Sequence, residues 1–496
     1  MMHKIILILF LSLLCMQVFP QPVAVNIIPR PQTVSLKNGY FTLTQNTKLH
    51  ADAGFENSSS FFRQYLHKFY ALDITPGASP KEGSRHETII SLKRSQASAN
   101  SKAYTLLVSP EEIEIRSGSD TGIFYGIQTL IQLLPVVKNA EKAGTSYRGI
   151  HLDVARHFFD TAYLKKFIDL LALHKFNKFH WHLTDDQGWR MEVKKYPNLT
   201  VTGSCRDQTL LGRFGSDVYD GMPHCGFYTV EEMKGLVNYA ARRYITIIPE
   251  IDMPGHTTAA LASYPFLGCT KGPYKVSQTW GVHKEVMCAG NDSTYEFIKE
   301  VLKEVAGIFP STLIHIGGDE VPKDRWKACP VCQARKKKEG LKNEDELQSY
   351  FINRVHRLVR ELGRTMIGWD EILEGKNVPG TVIMNWRGRK FADEALRLGH
   401  PVIFSPDNPM YLNFQQSRHE DSVTQGGYNP LENVYGYDPI KSNTANELVL
   451  GIQANLWTEY IASQAKLEYM ALPRLSAVAE AAWSSQDRRR QADAAT

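Results

Sequence analysis

Tryptophan is missing from the first 180 residues; all eight lie at or beyond Trp181 in a chain of 496. An excess of one charge sign is missing too: 57 Lys and Arg face 52 Asp and Glu, a net +5. Over this length that is too weak and too dispersed for a nucleic-acid surface, and the two dense basic runs, 336–338 and 488–490, read as solvated helix faces. Beyond the N-terminus no stretch approaches 18 apolar residues, so the sequence offers no spanning helix. Cysteine is scarce at seven residues, and only one CxxC occurs. What remains is 43% hydrophobic, 10% aromatic and 22% charged, which excludes disordered, collagen-like and coiled-coil chains. The length allows two or three domains, and a barrel of about 250 residues could fill most of it.

Lys4 followed by the run 5–14, apolar apart from Ser12, reads as a secretory leader: the run is too short to span a bilayer. The expectation is a signal peptide over 1–21 and an exported chain, periplasmic or extracellular. Leu14 is too bulky to make Cys15 a convincing lipid anchor. Outside that leader stand Cys205, Cys225, Cys269, Cys288, Cys329 and Cys332. An even count in an exported chain permits disulfides, and neighbour pairing (205–225, 269–288, 329–332) would staple three separate loops. Cys329-Pro-Val-Cys332 lacks a second CxxC to complete four metal ligands, so a bridge is expected there rather than zinc.

Residues 22–145 alternate strand-like runs (48–51, 87–92, 104–108, 112–116) with helical stretches at 59–70 and 122–134, which predicts a small, non-catalytic α/β (α+β) domain. From 146 to 496 short β-branched and aromatic runs recur, mostly with helical segments between them. Strands are predicted at 149–154, 178–183, 245–251, 313–317, 365–369, 382–386, 401–405 and 449–457. Helices are predicted at 161–174, 229–243, 293–308, 344–362 and 391–398. Eight strands alternating with helices fit a (β/α)8 TIM barrel. A doubly wound open sheet fits less well, because no Gly-rich phosphate loop follows the first strand.

In such a barrel chemistry gathers where strands end. Polar and aromatic residues sit there: Asp153 and Arg156; His182, Asp185 and Asp186; Glu250, Asp252 and His256; His315, Asp319 and Glu320; Trp369 and Asp370; Asn385 and Trp386; Trp457 and Glu459. Aromatic planes pack on the apolar faces of sugar rings while carboxylates and Arg bind hydroxyls, so carbohydrate hydrolysis is the natural reading. In His315-Ile-Gly-Gly-Asp-Glu320 a lone Asp-Glu pair would usually be a solvated turn. The apolar strand leading in and the two glycines reverse that reading. Chain neighbours start about 3.8 Å apart and cannot easily flank a sugar from opposite faces, so one is read as the acid/base and the other as orienting a nucleophile that the substrate supplies.

HIGGDE, together with RGIHLDVARHFF (148–159), FHWHLTDDQGWR (179–190), PEIDMPGH (249–256) and ANLWTE (454–459), resembles the family 20 glycoside hydrolases, the β-N-acetylhexosaminidases. The resemblance implies exo-acting, retaining hydrolysis of terminal β-linked N-acetylglucosamine or N-acetylgalactosamine through an oxazolinium intermediate, with no cofactor and no metal. It implies Glu320 as acid/base and Asp319 on the acetamide N–H. Trp369, Trp386 and Trp457 would wall the acetamido pocket, with Tyr411 donating to the carbonyl. Arg156 and Glu459 would grip the sugar's O3 and O4. Asp185 and His256 would tune Glu320, and Asp252 would support Asp319. The partner would be an oligosaccharide or glycoconjugate ending in N-acetylhexosamine, and the reading admits a homodimer.

Two departures from the family pattern stand out. Asn413 occupies a position where the family usually has Asp, keeping an acceptor but losing a charge, so it is expected at the sugar's outer hydroxyls with gluco versus galacto preference open. Only 13 residues follow Trp483, the closing helix is expected over 467–483, and lower stability than a longer chain is expected. Two rivals remain: a metal-dependent barrel hydrolase using His180, His182 and His315, and a silent sugar binder. Tryptophan-lined sugar pockets argue against the first, and intact Asp319, Glu320 and Tyr411 argue against the second. His315 itself is read as a satisfied core residue.

Overall fold

Eight short segments pair in parallel and close on themselves: β1 (Tyr147–Asp153), β2 (Lys178–His182), β3 (Thr246–Glu250), β4 (Leu313–His315), β5 (Thr365–Trp369), β6 (Val382–Asn385), β7 (Val402–Phe404) and β8 (Val449–Leu456), with β8 returning to β1. The computed structural model describes residues 27–35, 40–70, 72–77, 88–96, 102–133, 138–141, 145–420, 422–439 and 447–484. The expected leader at 1–21, Cys15 and the tail beyond Ser484 lie outside the described residues.

Helices cross between most of the strands, and their starts are written locally. Asp160 accepts from the Tyr163 N–H at 2.8 Å to open Thr161–Leu173, and Thr229 with Glu232 forms a capping box on Val230–Ala241. Asn343 does the same for Glu344–Glu361. These side chains satisfy backbone donors that a helix start leaves unpaired. One expectation fails. The helix read over 467–483 is two, Gln464–Ala471 and Arg474–Trp483, because Pro473 has no N–H to give and its ring clashes with the preceding turn. Among the described residues no helix is long and apolar enough to cross a membrane.

Ahead of the barrel stands a seven-stranded mixed sheet, in spatial order Thr33–Ser35, Lys138–Glu141, Tyr104–Val108, Glu112–Ser117, Ile89–Arg94, Lys48–Ala51, Thr75–Pro76. Helices Glu56–Tyr70 and Asp120–Leu133 bury Phe62, Leu66, Ile123 and Ile127 in a core shared with Ile90, Leu106 and Ile115 of the sheet. The two units are joined by specific contacts: Arg148 donates to the Tyr125 hydroxyl at 2.9 Å, and Tyr125 packs edge-on against Trp483 at 5.6 Å. A largely apolar cavity of about 500 Å³, lined by Phe61, Tyr65, Phe167 and Tyr239 among others, lies where the helix Glu56–Tyr70 meets Thr161–Leu173.

The cysteines divide differently from the sequence expectation. Cys205 and Cys225 lie opposite each other on a two-stranded ladder in the long β2–β3 connection and form a disulfide. The expected bridges 269–288 and 329–332 are not formed. Neighbour pairing assumes that each loop closes on itself. Here the β3–β4 and β4–β5 connections fold onto each other instead, and Cys269, Cys288, Cys329 and Cys332 converge into one cluster.

Candidate active site

The strand ends meet at the C-terminal mouth of the barrel. From β4 the chain runs through Gly317 and Gly318, both at positive φ (68° and 96°), into Asp319 and Glu320. A side chain at 317 would overlap the Asp252 carboxylate, 1.7 Å from Oδ1, so glycine is what lets this turn pass against the β3 loop. Glu320 itself holds φ 47° and His256 φ 50°, a left-handed conformation that non-glycine residues rarely adopt and that clusters at working sites.

Those two left-handed residues face each other. His256 Nε2 lies 3.4 Å from Glu320 Oε2 and 3.7 Å from Asp319 Oδ2, while its Nδ1 lies 3.3 Å from Asp185 Oδ1 and 3.1 Å from Asp186 Oδ2. Burial works against a charge on His256, yet Asp185 and the other carboxylates around it push its pKa well above the ordinary value. The hydrogen bond from that imidazole holds the Glu320 carboxyl below its ordinary range, against the opposing effect of burial. Asp319 goes the other way. Burial pushes it up to about 7, with the negative Glu320 adding to the effect and His256 partly offsetting it. Asp252 is likewise raised by burial and by Asp319, and its Oδ1 has no hydrogen-bond partner.

Arg156 is held from three sides: Asp185 Oδ2 at 2.8 Å, Asp153 Oδ2 at 3.3 Å, and Gln187 Oε1, which accepts from Nε at 3.0 Å. Its guanidinium lies 5.1 Å from the centre of the Trp457 ring. Arg156, His256, Glu320 and Glu459 line one cavity of about 430 Å³, with Trp280 and Gln425 across from them. Trp369, Tyr411 and Trp457 continue the barrel's interior core up to this mouth. Their rings sit close together, Trp369–Trp457 at 5.8 Å and Tyr411–Trp457 at 6.2 Å, and Trp386 stacks on Tyr411 at 6.3 Å. Burial pushes the Tyr411 hydroxyl pKa well up, so it stays a neutral donor.

With a strand-end cluster of carboxylates, arginine and aromatic rings on a (β/α)8 barrel in place, the chain can be set beside known proteins. "Glycosyl hydrolase family 20, catalytic domain" matches residues 146–486, and "Glycosyl hydrolase family 20, domain 2" matches 24–146. The chain belongs to glycosyl hydrolase family 20. Among family 20 relatives, the beta-hexosaminidase of Porphyromonas gingivalis is 41% identical across 93% of this chain, which spans 60% of that protein's length. The beta-hexosaminidase of Vibrio furnissii is 34% identical, with 92% of this chain and 76% of the relative covered. The family 20 exo-β-N-acetylglucosaminidase of Vibrio harveyi, solved with N-acetylglucosamine, superposes with a TM-score of 0.85 at 33% identity, covering 94% of this chain and 75% of that one.

Within this family 20 chain most of the residues singled out from sequence fall in one region. Asn413 does not line the cavity that Arg156 and Glu320 share but borders a smaller neighbouring pocket with Trp457 and Gln425. It is 3% exposed, and its amide donates to Gln425, which lines the cavity in its place. Two acidic residues to which sequence reading assigns no role lie one layer further in. Glu250 sits inside the barrel with His182 Nδ1 on Oε2, His180 Nε2 3.0 Å away, His315 Nδ1 2.8 Å away and the Trp369 indole donating at 3.1 Å. The imidazoles that resemble a metal set in sequence thus converge on a carboxylate. Glu371, pushed up to about 9 by burial and by Asp319, accepts from the Trp386 indole at 2.9 Å. Sequence reading places Glu250 only as a strand-end acid and does not single out Glu371, whose place two residues after Trp369 is the signal that could have found it.

Proposed function

We propose that this chain hydrolyses terminal, non-reducing β-linked N-acetylglucosamine or N-acetylgalactosamine with retention, the substrate's own acetamide acting as nucleophile. The observation that carries the reading is the divergence of two consecutive carboxyls. Asp319 is inward, with its Oδ1 buried and without a partner, and lies close enough to Tyr411 and Glu371 to raise both. Glu320 instead lines two cavities, the one with Arg156 and Glu459 and an adjoining one of about 340 Å³ bounded by Lys323, Gln348 and Arg387. An acid at that junction can protonate an oxygen that links a sugar on one side to a leaving group on the other.

In the first step the acetamide oxygen attacks C1 while Glu320 gives its proton to the leaving oxygen. The positive charge that develops on the acetamide nitrogen is met by Asp319, whose carboxylate accepts the N–H, and the Tyr411 hydroxyl donates to the former carbonyl oxygen. In the second step Glu320 takes a proton from water as it adds to C1, which restores the acetamide and leaves the sugar β. Arg156 and Glu459 hold the ring hydroxyls, and Trp369, Trp386 and Trp457 exclude water from the acetamide. The two carboxyls carry one proton between them, mostly on Asp319 before substrate enters. An acetamide N–H favours the charged form of Asp319, and covering Glu320 favours its neutral form, so binding moves that proton to the residue that must give it up.

Export of the chain belongs to the same reading: the apolar run at 5–14 and the Cys205–Cys225 disulfide both suit an oxidising compartment.

The test is release of an aryl leaving group from matched β-N-acetylglucosaminide, β-N-acetylgalactosaminide and plain β-glucoside. Turnover of the acetamido sugars alone is expected. Glu320→Gln is expected to lower turnover by about 10²–10⁴-fold while product binding persists. Cleavage of the glucoside, or near-normal rates in that variant, overturns the proposal.

A further inference from the structure

The four unpaired cysteines are outside the site described above, and their arrangement has a chemistry of its own. The sulfurs of Cys269, Cys288, Cys329 and Cys332 all lie within 4.8 Å of one another. Individual separations are 3.8 Å for 269–332, 3.8 Å for 288–329 and 3.5 Å for 288–332. Disulfide sulfurs are about 2.05 Å apart. Four thiolates placed about 2.3 Å from a central zinc at tetrahedral angles are about 3.8 Å apart. We propose that these four cysteines bind one structural Zn²⁺ ion.

The local fold is built for such a centre. Cys329 and Cys332 flank the start of the helix Pro330–Lys338, where unpaired N–H groups favour thiolates. Cys288 is pinned by its own N–H to the Leu267 carbonyl at 2.7 Å, which brings the chain just before Cys269 alongside it. The backbone at Gly290 donates toward both Cys288 and Cys332. A Cβ at that glycine would lie 2.3 Å from the Val331 carbonyl oxygen and 2.7 Å from the Cys332 nitrogen, so only glycine lets the two loops approach this closely. Three of the four cysteines are buried, with Cys332 fully so. The half-site that sequence reading sought in a second CxxC comes instead from two cysteines far apart in the β3–β4 connection.

Binding releases the four thiol protons to solvent, forms four Zn–S bonds and transfers no electrons. The ion would tie the loop that carries His256 to the loop that follows Glu320. The same two loops also meet through the Trp326 indole, which donates to the Met287 carbonyl at 2.9 Å, and Met287 N–H in turn donates to Pro254. Metal content and thiol state test this without reference to turnover.

The experiment is elemental analysis of the purified full chain carrying Cys15→Ser by plasma mass spectrometry, with intact mass and alkylation under denaturing conditions. About one zinc per chain is expected. The unfolded protein should be about 2 Da lighter than the fully reduced mass, from one disulfide, and should take up four alkyl groups. Titration of the native protein with an organomercurial should release the zinc stoichiometrically and lower the melting temperature. Cys329→Ser with Cys332→Ser should lose the metal, and Cys205→Ser with Cys225→Ser should keep it. A mass about 6 Da light with no alkylatable thiols, four free thiols without zinc from zinc-supplied growth, or a different metal in stoichiometric amount each overturns the assignment.

Discussion

His256 is the residue on which the titration of the site turns. Its imidazole, held charged by Asp185 and Asp186, lowers both Glu320 and Asp319. The one-proton form of that carboxyl pair spans the interval between a lowered Glu320 on the acid side and about 7 for Asp319 on the alkaline side. Activity in kcat/KM should follow that interval, falling at low pH as the second carboxyl protonates and above about 7 as the last proton leaves. His256→Ala removes an opposite charge from both groups. Both limbs should therefore move to higher pH, by about 1–3 units for a cation at this range. A pH profile whose limbs stay in place would show that His256 does not set these protonation states. Gly317 illustrates how little of this is negotiable: its position is defined by the Asp252 carboxylate that any side chain would meet.

Among the elements, the long β2–β3 connection does the most beyond the barrel itself. It carries Arg213 and Phe214 to the cavity that Arg156 and Glu320 line, and the Phe214 N–H donates to the Tyr460 hydroxyl at 3.1 Å. The disulfide Cys205–Cys225, with a sequence separation of 20, closes the loop that holds them. Crosslinking a loop of that order stabilises by about 3 kcal/mol through the unfolded chain. Cys205→Ser with Cys225→Ser is expected to lower the melting temperature and to raise KM more than it lowers kcat. Glu320, Asp319 and Tyr411 sit on the loops after β4 and β7 and stay in place, while one cavity wall loosens. Equal loss in kcat with KM unchanged would mean that this insertion positions the chemistry rather than the substrate.

At the scale of the molecule the small sheet domain and the barrel share a seam. Arg148 leaves β1 to bond the Tyr125 hydroxyl, and its guanidinium lies 4.8 Å from the centre of the Trp483 ring, which ends the last described helix. Tyr244 extends the seam by bonding Asp120 and packing edge-on against Phe124. With the two cores joined this way, calorimetry should show a single unfolding transition. Trp483→Ala deletes the ring that both Tyr125 and Arg148 use, with an expected loss of about 3–5 kcal/mol, and should separate the two domains' transitions. A variant that still melts in one step near the original temperature would show that Trp483 does not couple the domains.

Much of the site was legible because a (β/α)8 barrel makes it so. The alternation of β-branched runs with helices announces the fold, and the fold puts every strand end on one face, so the sequence alone groups Arg156, Asp185, His256, Asp319, Glu320, Trp369 and Trp457. Helix starts were legible too: the runs expected from 161 and from 229 begin at Thr161 and Val230. The convergence of His180, His182, His315 and Trp369 on Glu250, the bond from Asn413 to Gln425, and the meeting of Cys269 and Cys288 with Cys329 and Cys332 were not. Each depends on which loop lies on which, over separations from 12 to more than 100 residues. Periodicity and motif record what a residue does with its neighbours in the chain. Contact between distant loops is decided by packing, and only the tertiary structure holds it.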